Sequence, residues 1–198
     1  MVRVELVVAV PATIARAIVR GLPADLNQAL ASVTYGPFVC MGVLTGETTA
    51  MPWDGIYAIT TPGLAFDMWF NQANPLRARG ARKPGGSLMC YAGGEPARKL
   101  IELPEDEIER RFRADLCKMY PQLRGVIREA VVQKWPIGNV YRTPGTTFDA
   151  MLSYCQQRGN RIHFAGDYFA GLGSMEVAAG SAVEAAAAVR SELDSARR

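Results

Sequence analysis

The stretch from Arg161 to Ala186 is the part of this sequence best equipped to hold a ligand. Its opening run, Arg161 to Ala165, reads as a strand, Gly166, Gly171 and Gly173 punctuate a turn, and a helix begins near Ser174. Serine suits an N-cap. The amides of Met175 and Glu176 then lack a carbonyl one turn back, and beside the positive end of the helix dipole they form a place for an anionic group. The three glycines let a flat ligand, or another backbone, approach closely. Ala178, Ala179, Ala182, Ala185 and Ala186 give the helix a thin face that packs tightly on a sheet. An ordinary strand–turn–helix with small-residue packing uses the same residue types, so residue chemistry alone leaves both readings open.

Elsewhere reactive side chains are sparse. His163 is the only histidine and sits in the strand-like run, a poor place for the base of a Ser-His-Asp triad. Cys40, Cys90, Cys117 and Cys155 lie far apart with no CxxC pair. This spacing points to reduced, buried thiols rather than a disulfide framework or a zinc site, and no metal is expected. Between Asn74 and Gly86, Arg77, Arg79, Arg82 and Lys83 could hold an anion, but a solvated hairpin loop is the stronger reading.

The 198 residues are 49% hydrophobic and 21% charged, with a formal charge of +3 from 22 basic and 19 acidic residues. That balance argues against nucleic acid as a partner. The longest helix-like apolar stretch, Val177 to Val189, is broken by Gly180, Ser181 and Glu184 and is too weak to span a bilayer. No signal peptide is read at the start, so a cytoplasmic location is expected.

These elements must position the turn at Gly166. Val4 to Val10 reads as a strand covered on both faces. Pro11 opens a helix that Gly21 ends, and Leu22-Pro23 opens a second with Leu26, Ala29, Leu30 and Val33 on one side. Gly36-Pro37 reads as a break before a strand from Phe38 to Leu44. From Thr45 to about Glu102, short apolar runs between Gly, Pro and aromatic residues suggest an antiparallel sheet. Pro104 opens an amphipathic helix with an apolar stripe of Ile108, Phe112, Leu116 and Met119, which Tyr120-Pro121 stops. Val126 to Trp135 reads as a short helix running into a strand.

Three stretches, in order, resemble the flavin-containing amine-oxidase and protoporphyrinogen-oxidase superfamily. Val7 to Pro11, followed by Leu22-Pro23 and Tyr35-Gly36, is similar to a flavin-domain strand and its spacing in that family. Gln133-Lys134-Trp135-Pro136 through Tyr141-Arg142-Thr143-Pro144-Gly145 resembles the tryptophan strand and Pro-Gly turn that return the substrate domain to the flavin. The segment around Gly166 resembles the family's C-terminal flavin motif. Taken alone, Trp135 also reads as an aromatic core residue.

The resemblance implies an α+β fold: a C-terminal portion of an FAD-binding domain, residues 1–31 and 149–198, and a substrate-binding domain, residues 35–147, with a mixed or antiparallel sheet. It implies cofactor contacts from Gly166, Asp167, Gly173, Ser174, Met175 and Trp135, and substrate contacts from Cys40, Gly138 and Tyr141. It names no catalytic residue. The family's lysine falls near Cys40 here, and its two aromatic cage positions fall near Gly138 and Ser174. Its cysteine for covalent flavin falls near Ile137. The implied FAD is therefore noncovalent, and the substrate a flat or small apolar organic molecule rather than a simple monoamine. The GxGxxG fingerprint that binds the pyrophosphate and ribose in such folds is absent from these residues. The expected activity is hydride transfer from substrate to flavin N5, with a partner chain supplying the Rossmann half, or a homo-oligomer. The alternative is a flavin-free remnant acting as a binding or interaction domain.

Overall fold

A computed structural model describes residues 4–77, 80, 82–141, 143–144, 148–169 and 173–195. Arg79, Arg142, Gly145 and Gly171 lie outside the described residues. In chain order the elements begin with β1 (Leu6–Val8), α1 (Ala12–Ile18), α2 (Ala24–Ser32), β2 (Thr34–Thr45), β3 (Ala58–Thr60) and β4 (Met68–Asn71). Next come α3 (Asn74–Arg77), β5 (Gly86–Gly93), α4 (Gly94–Ile101), α5 (Glu105–Met119), α6 (Leu123–Val126) and β6 (Ile127–Tyr141). The chain closes with α7 (Asp149–Gln156), β7 (Ile162–Phe164), a 3₁₀ turn at Asp167–Phe169, and α8 (Met175–Ser195). The architecture is α+β, and the chain divides into two compact units, residues 1–36 with 139–198 and residues 37–138.

The first unit is built on a parallel pair, β1 with β7, in which Leu6 faces Ile162 and Val8 faces Phe164. Pro11 and Pro23 immediately precede α1 and α2, their fixed φ matching the helical entry. Gly21, at φ +73, turns the chain between the two helices. Leu26, Ala29, Leu30 and Val33 are all buried, together with Val8, Ala12, Ala15, Phe164 and Tyr168. The opening strand is shorter than its apolar run and is not covered on both faces. Leu6 is 53% and Val7 44% exposed. The reason is its neighbour: β7 is three residues long and is the only strand paired with β1 among the described residues.

The second unit is a five-stranded sheet in the order β3-β4-β5-β2-β6, with β3–β4, β4–β5 and β5–β2 antiparallel. Strand pleating sends alternate side chains to opposite faces. One face, with Val39, Met41, Val43, Trp69, Leu88 and Cys90, is buried in a common core with Leu100 of α4 and Ile108, Phe112 and Leu116 of α5. On the other face Phe38, Cys40 and Gly42 stand opposite Gly93, Tyr91 and Met89, while Met68 and Phe70 stand opposite Tyr91 and Met89 from the far side. None of these positions is fully buried.

Several sequence expectations change here. Gly36-Pro37 does not interrupt β2; pairing with β5 begins only at Phe38, so the missing N–H of Pro37 costs no bond of that ladder. The short helix expected to run into a strand from Val126 lies slightly earlier, at α6, and the strand, with β-branched Val131 and Val132, continues beyond Trp135 to Tyr141. In the basic loop Arg77 and Arg82 are not solvated, whereas Lys83 is exposed. Arg77 pairs with Asp54 and lies 2.9 Å from Glu47, while Arg82 lies 2.7 Å from Asp54. Not all thiols are buried: Cys90 and Cys117 are, but Cys155 is exposed near the end of α7 and Cys40 is half-buried. Among the described residues no helix is long and apolar enough to cross a membrane.

Candidate functional site

In the first unit, β7 leads into the glycine turn and α8. A Cβ on Gly166 would overlap the ring of Tyr168, which is wholly buried, so glycine is required here by the protein's own packing. The Gly166 N–H donates to Ser181 Oγ at 2.9 Å, and that hydroxyl lies 3.0 Å from the Gly166 carbonyl oxygen. Ser181 thus staples the strand end to the second turn of α8. In the sequence Ser181 stands out only as a break in an apolar stretch.

Asp167 follows in the 3₁₀ turn, and burial pushes its carboxyl above the ordinary range, partly offset by a hydrogen bond from its own backbone. A Cβ on Gly173 would come 2.9 Å from Asp167 Oδ2 and 3.1 Å from the backbone nitrogen of Val140. Gly173 therefore lets the turn close on β6 with the carboxylate alongside. Ser174 Oγ accepts from the Val177 amide at 3.2 Å, satisfying one orphan donor of the first turn. Met175 is 84% exposed at the head of α8. The Tyr168 hydroxyl is buried with no hydrogen-bond partner among the described residues. Tyr141, also in this unit, lays its ring 3.5 Å from where a Gly36 side chain would begin.

Tyr35 is a further polar residue that the sequence reading left unassigned. Its hydroxyl accepts from the Ala12 amide at 2.8 Å, at the start of α1. Burial raises its pKa to about 12, against the lowering effect of that hydrogen bond and with a smaller push from Asp167. A phenol raised in the folded state stabilises below the unfolded pKa of 10.0 and loses that contribution as pH climbs toward the folded value. The first unit should therefore lose stability between about pH 10 and 12, and Tyr35→Phe should flatten part of that slope. The same change should cost about 1–2 kcal/mol at neutral pH by leaving the Ala12 amide unpaired, measured by urea denaturation.

The remaining sequence-derived positions lie in the second unit. Burial raises the pKa of the Cys40 thiol on β2, and Trp135 of β6 lowers it by a smaller amount. Trp135 is 50% exposed, so it is not a core aromatic. The neighbouring Lys134 points to the opposite face, where its ammonium donates to the Ile101 and Leu103 carbonyls at 3.1 and 3.0 Å, at the end of α4. Gly138 is half-buried near the end of β6. Thus Gly166, Asp167, Gly173, Ser174, Met175 and Tyr141 belong to one unit, and Cys40, Trp135 and Gly138 to the other. His163 is not part of a triad; its Nε2 lies 3.0 Å from Glu5 Oε2 across the β1–β7 pair.

A strand thus leads through Gly166 and Asp167 to a helix capped by Ser174. The family model for flavin-containing amine oxidoreductases matches residues 5–190, and the chain belongs to that family. Among solved structures it is similar to cyclohexylamine oxidase from Brevibacterium oxydans IH-35A, with 20% identity and a TM-score of 0.69 over 95% of this chain and 43% of that one. It is also similar to wild-type putrescine oxidase bound to putrescine, with 15% identity and a TM-score of 0.67 over 98% and 43%. A protein described as a protoporphyrinogen oxidase from Exiguobacterium sp. 255-15 aligns at 11% identity and TM-score 0.68 over 96% and 41%. The chain thus spans less than half the length of these neighbours. Comparison with curated protein sequences gave no match.

Proposed function

We propose that this chain is the substrate-facing and flavin-edge half of an FAD-dependent oxidoreductase, completed by a dinucleotide-binding half. The observation that carries it is the capped start of α8, closed against Asp167 by Gly173, in a chain of this family. The residues present fit one end of the cofactor. The amides of Met175 and Glu176 would meet the electron-rich pyrimidine edge, and Gly166 and Asp167 would lie along the ribityl-pyrophosphate portion. Noncovalently bound FAD would supply a hydride acceptor at N5 and pass two electrons to an external acceptor. The chain's own residues would orient the ring, with α8 placing positive potential where negative charge gathers. Trp135 and Cys40 would contribute the wall on the substrate side, with Gly138 and Tyr141 as further substrate contacts.

The β1–β7 pair supports the need for a second half. Parallel sheets occur almost only with more strands and both faces covered, and isolated two-stranded sheets are marginal. Here Leu6 and Val7 are exposed apolar side chains on a two-stranded parallel pair. The assembly is read as cytoplasmic, with its thiols reduced.

Titration calorimetry and absorbance spectra test this reading. The lone chain should bind FAD weakly or not at all, and co-expression with a Rossmann-type half should yield a purified assembly with a flavin spectrum. Gly173→Ala in that assembly should weaken FAD retention by about tenfold, because the new methyl crowds both Asp167 and the Val140 backbone. Stoichiometric submicromolar FAD binding by these residues alone would remove the requirement for the second half. Failure of every assembly to hold flavin would remove the cofactor.

A further inference from the structure

We propose that the second unit holds a further small-molecule site, for an organic carboxylate with an apolar body, in the cavity bordered by the basic loop. The cavity has a volume of about 750 Å³ and lies where β4 gives way to α3 and β5 begins. Small-molecule sites typically measure about 300–1,000 Å³. It shares no residue with the positions implied for flavin or substrate. Thr45 and Gly86 pair at this end of the β2–β5 ladder, about 17 Å along β2 from Cys40. Among the described residues around the cavity, the charged ones are Arg77, Arg82 and Lys83, all cations. Glu47 and Asp54, which pair with the two guanidinium groups, do not line it. Three cations against two carboxylates leave one positive charge. Lys83 carries it, exposed and without an ion-pair partner among the described residues. Arg82 Nη2 is buried with no hydrogen-bond partner among them, 3.6 Å from Glu47 Oε1. A buried donor left unmet marks a place for an acceptor, which a ligand oxygen supplies directly or through a water.

The rest of the wall sets the body of the ligand. Ala73, Leu76 and Pro84 are apolar, and Leu76 is 73% exposed, so a large hydrophobic side chain stands here without cover. Gly86 keeps the cationic end in place. A Cβ there would come 2.9 Å from Glu47 Oε1 and 3.0 Å from Arg77 Nη2, so only glycine lets Arg77 pack this closely on β5. A bare phosphate would meet the cations but leave Leu76 and Pro84 uncovered. An uncharged ring would cover those walls but leave the Lys83 ammonium uncompensated beside a dry surface. A single carboxylate matches the one unpaired cation, and an aliphatic or aromatic body matches the walls. Nothing in this assignment depends on flavin.

Titration calorimetry of the whole chain with sodium 2-naphthoate tests the proposal. Uncharged 2-naphthamide serves as the matched body and inorganic phosphate as the bare anion. Naphthoate should bind with one-to-one stoichiometry, and naphthamide about fivefold or more weakly. Phosphate should compete only at concentrations about tenfold or more higher. Lys83→Gln should weaken naphthoate about fivefold and flatten the dependence on salt, whereas Lys83→Arg should retain both. Leu76→Asp, at an exposed position, should weaken naphthoate about tenfold or more. Near-ultraviolet circular dichroism would show the variants folded. Absence of saturable naphthoate binding overturns the proposal, as does equal binding of naphthamide. Parent-like affinity in Lys83→Gln or in Leu76→Asp overturns it too, by placing the ligand elsewhere. Phosphate competing as strongly as naphthoate overturns it in favour of a bare-anion site.

Discussion

Arg77→Met should destabilise the second unit by about 3–5 kcal/mol, a large share of the roughly 5–15 kcal/mol that holds a typical domain folded. Arg77 is the only described cation within 3 Å of Glu47, whose side chain is wholly buried. Arg82 stands farther from it, at 3.6 Å, and Glu47 Oε2 is already without a hydrogen-bond partner among the described residues. Removing the nearer guanidinium leaves a buried carboxylate whose desolvation is no longer offset. Urea unfolding followed by the buried Trp53 and Trp69 would measure the loss, and the double change Arg77→Met with Glu47→Gln should recover part of it. A variant as stable as the parent would mean that water reaches Glu47. The network also has a pH signature through Asp54. Burial alone would raise its carboxyl, but the hydrogen bond from Arg82, a backbone amide and both guanidinium charges hold it below the usual value. A depressed carboxylate contributes stability that is present above its unfolded pKa and lost as pH falls through the folded one. Acid should therefore weaken this unit below about pH 4, and Arg82→Met should remove part of that dependence.

Phe112→Ala should cost about 3–5 kcal/mol, and Phe112→Leu less than about 1.5. Phe112 is fully buried at the centre of α5 and meets Phe66 edge-on with centroids 5.4 Å apart. The alanine variant removes that contact and leaves a cavity between helix and sheet, whereas leucine refills most of the volume. Chemical denaturation midpoints at constant slope would separate the two. The outer face of the same helix provides the contrast. Hydrogen bonds from Arg110 and Arg111 hold the Glu107 carboxyl down at about 2. That pair is solvent-facing, so Glu107→Ala should move the midpoint hardly at all.

The same helix shows what was legible in the sequence. Its stripe of Ile108, Phe112 and Leu116 follows from helical spacing alone, and all three are buried as that spacing requires. The N-cap at Ser174 and the buried side of α2 were legible for the same local reason. What escaped depends on residues far apart in the chain. Arg77 and Arg82 looked solvated because their partners, Glu47 and Asp54, lie 23 to 30 residues away. The contact of Ser181 with Gly166 needs the helix folded back on the strand end, and the stacking of Phe38, Tyr91 and Phe70 needs the register of three strands. Helix α4 was missed because Gly94 and Pro96 near its start read as a turn.

The pairing of β1 with β7 has a temporal consequence. Glu5 and His163, which meet across that pair, are 158 residues apart in the chain. At synthesis rates of about 5–20 residues per second, the opening strand waits roughly 8–30 s for its neighbour to be made. Residues 37–138 form an uninterrupted stretch that is made before β7. Contacts of such long sequence separation form slowly, because loop closure is paid in entropy before any pairing is gained. The β1–β7 pair is thus made late in synthesis, after the second unit.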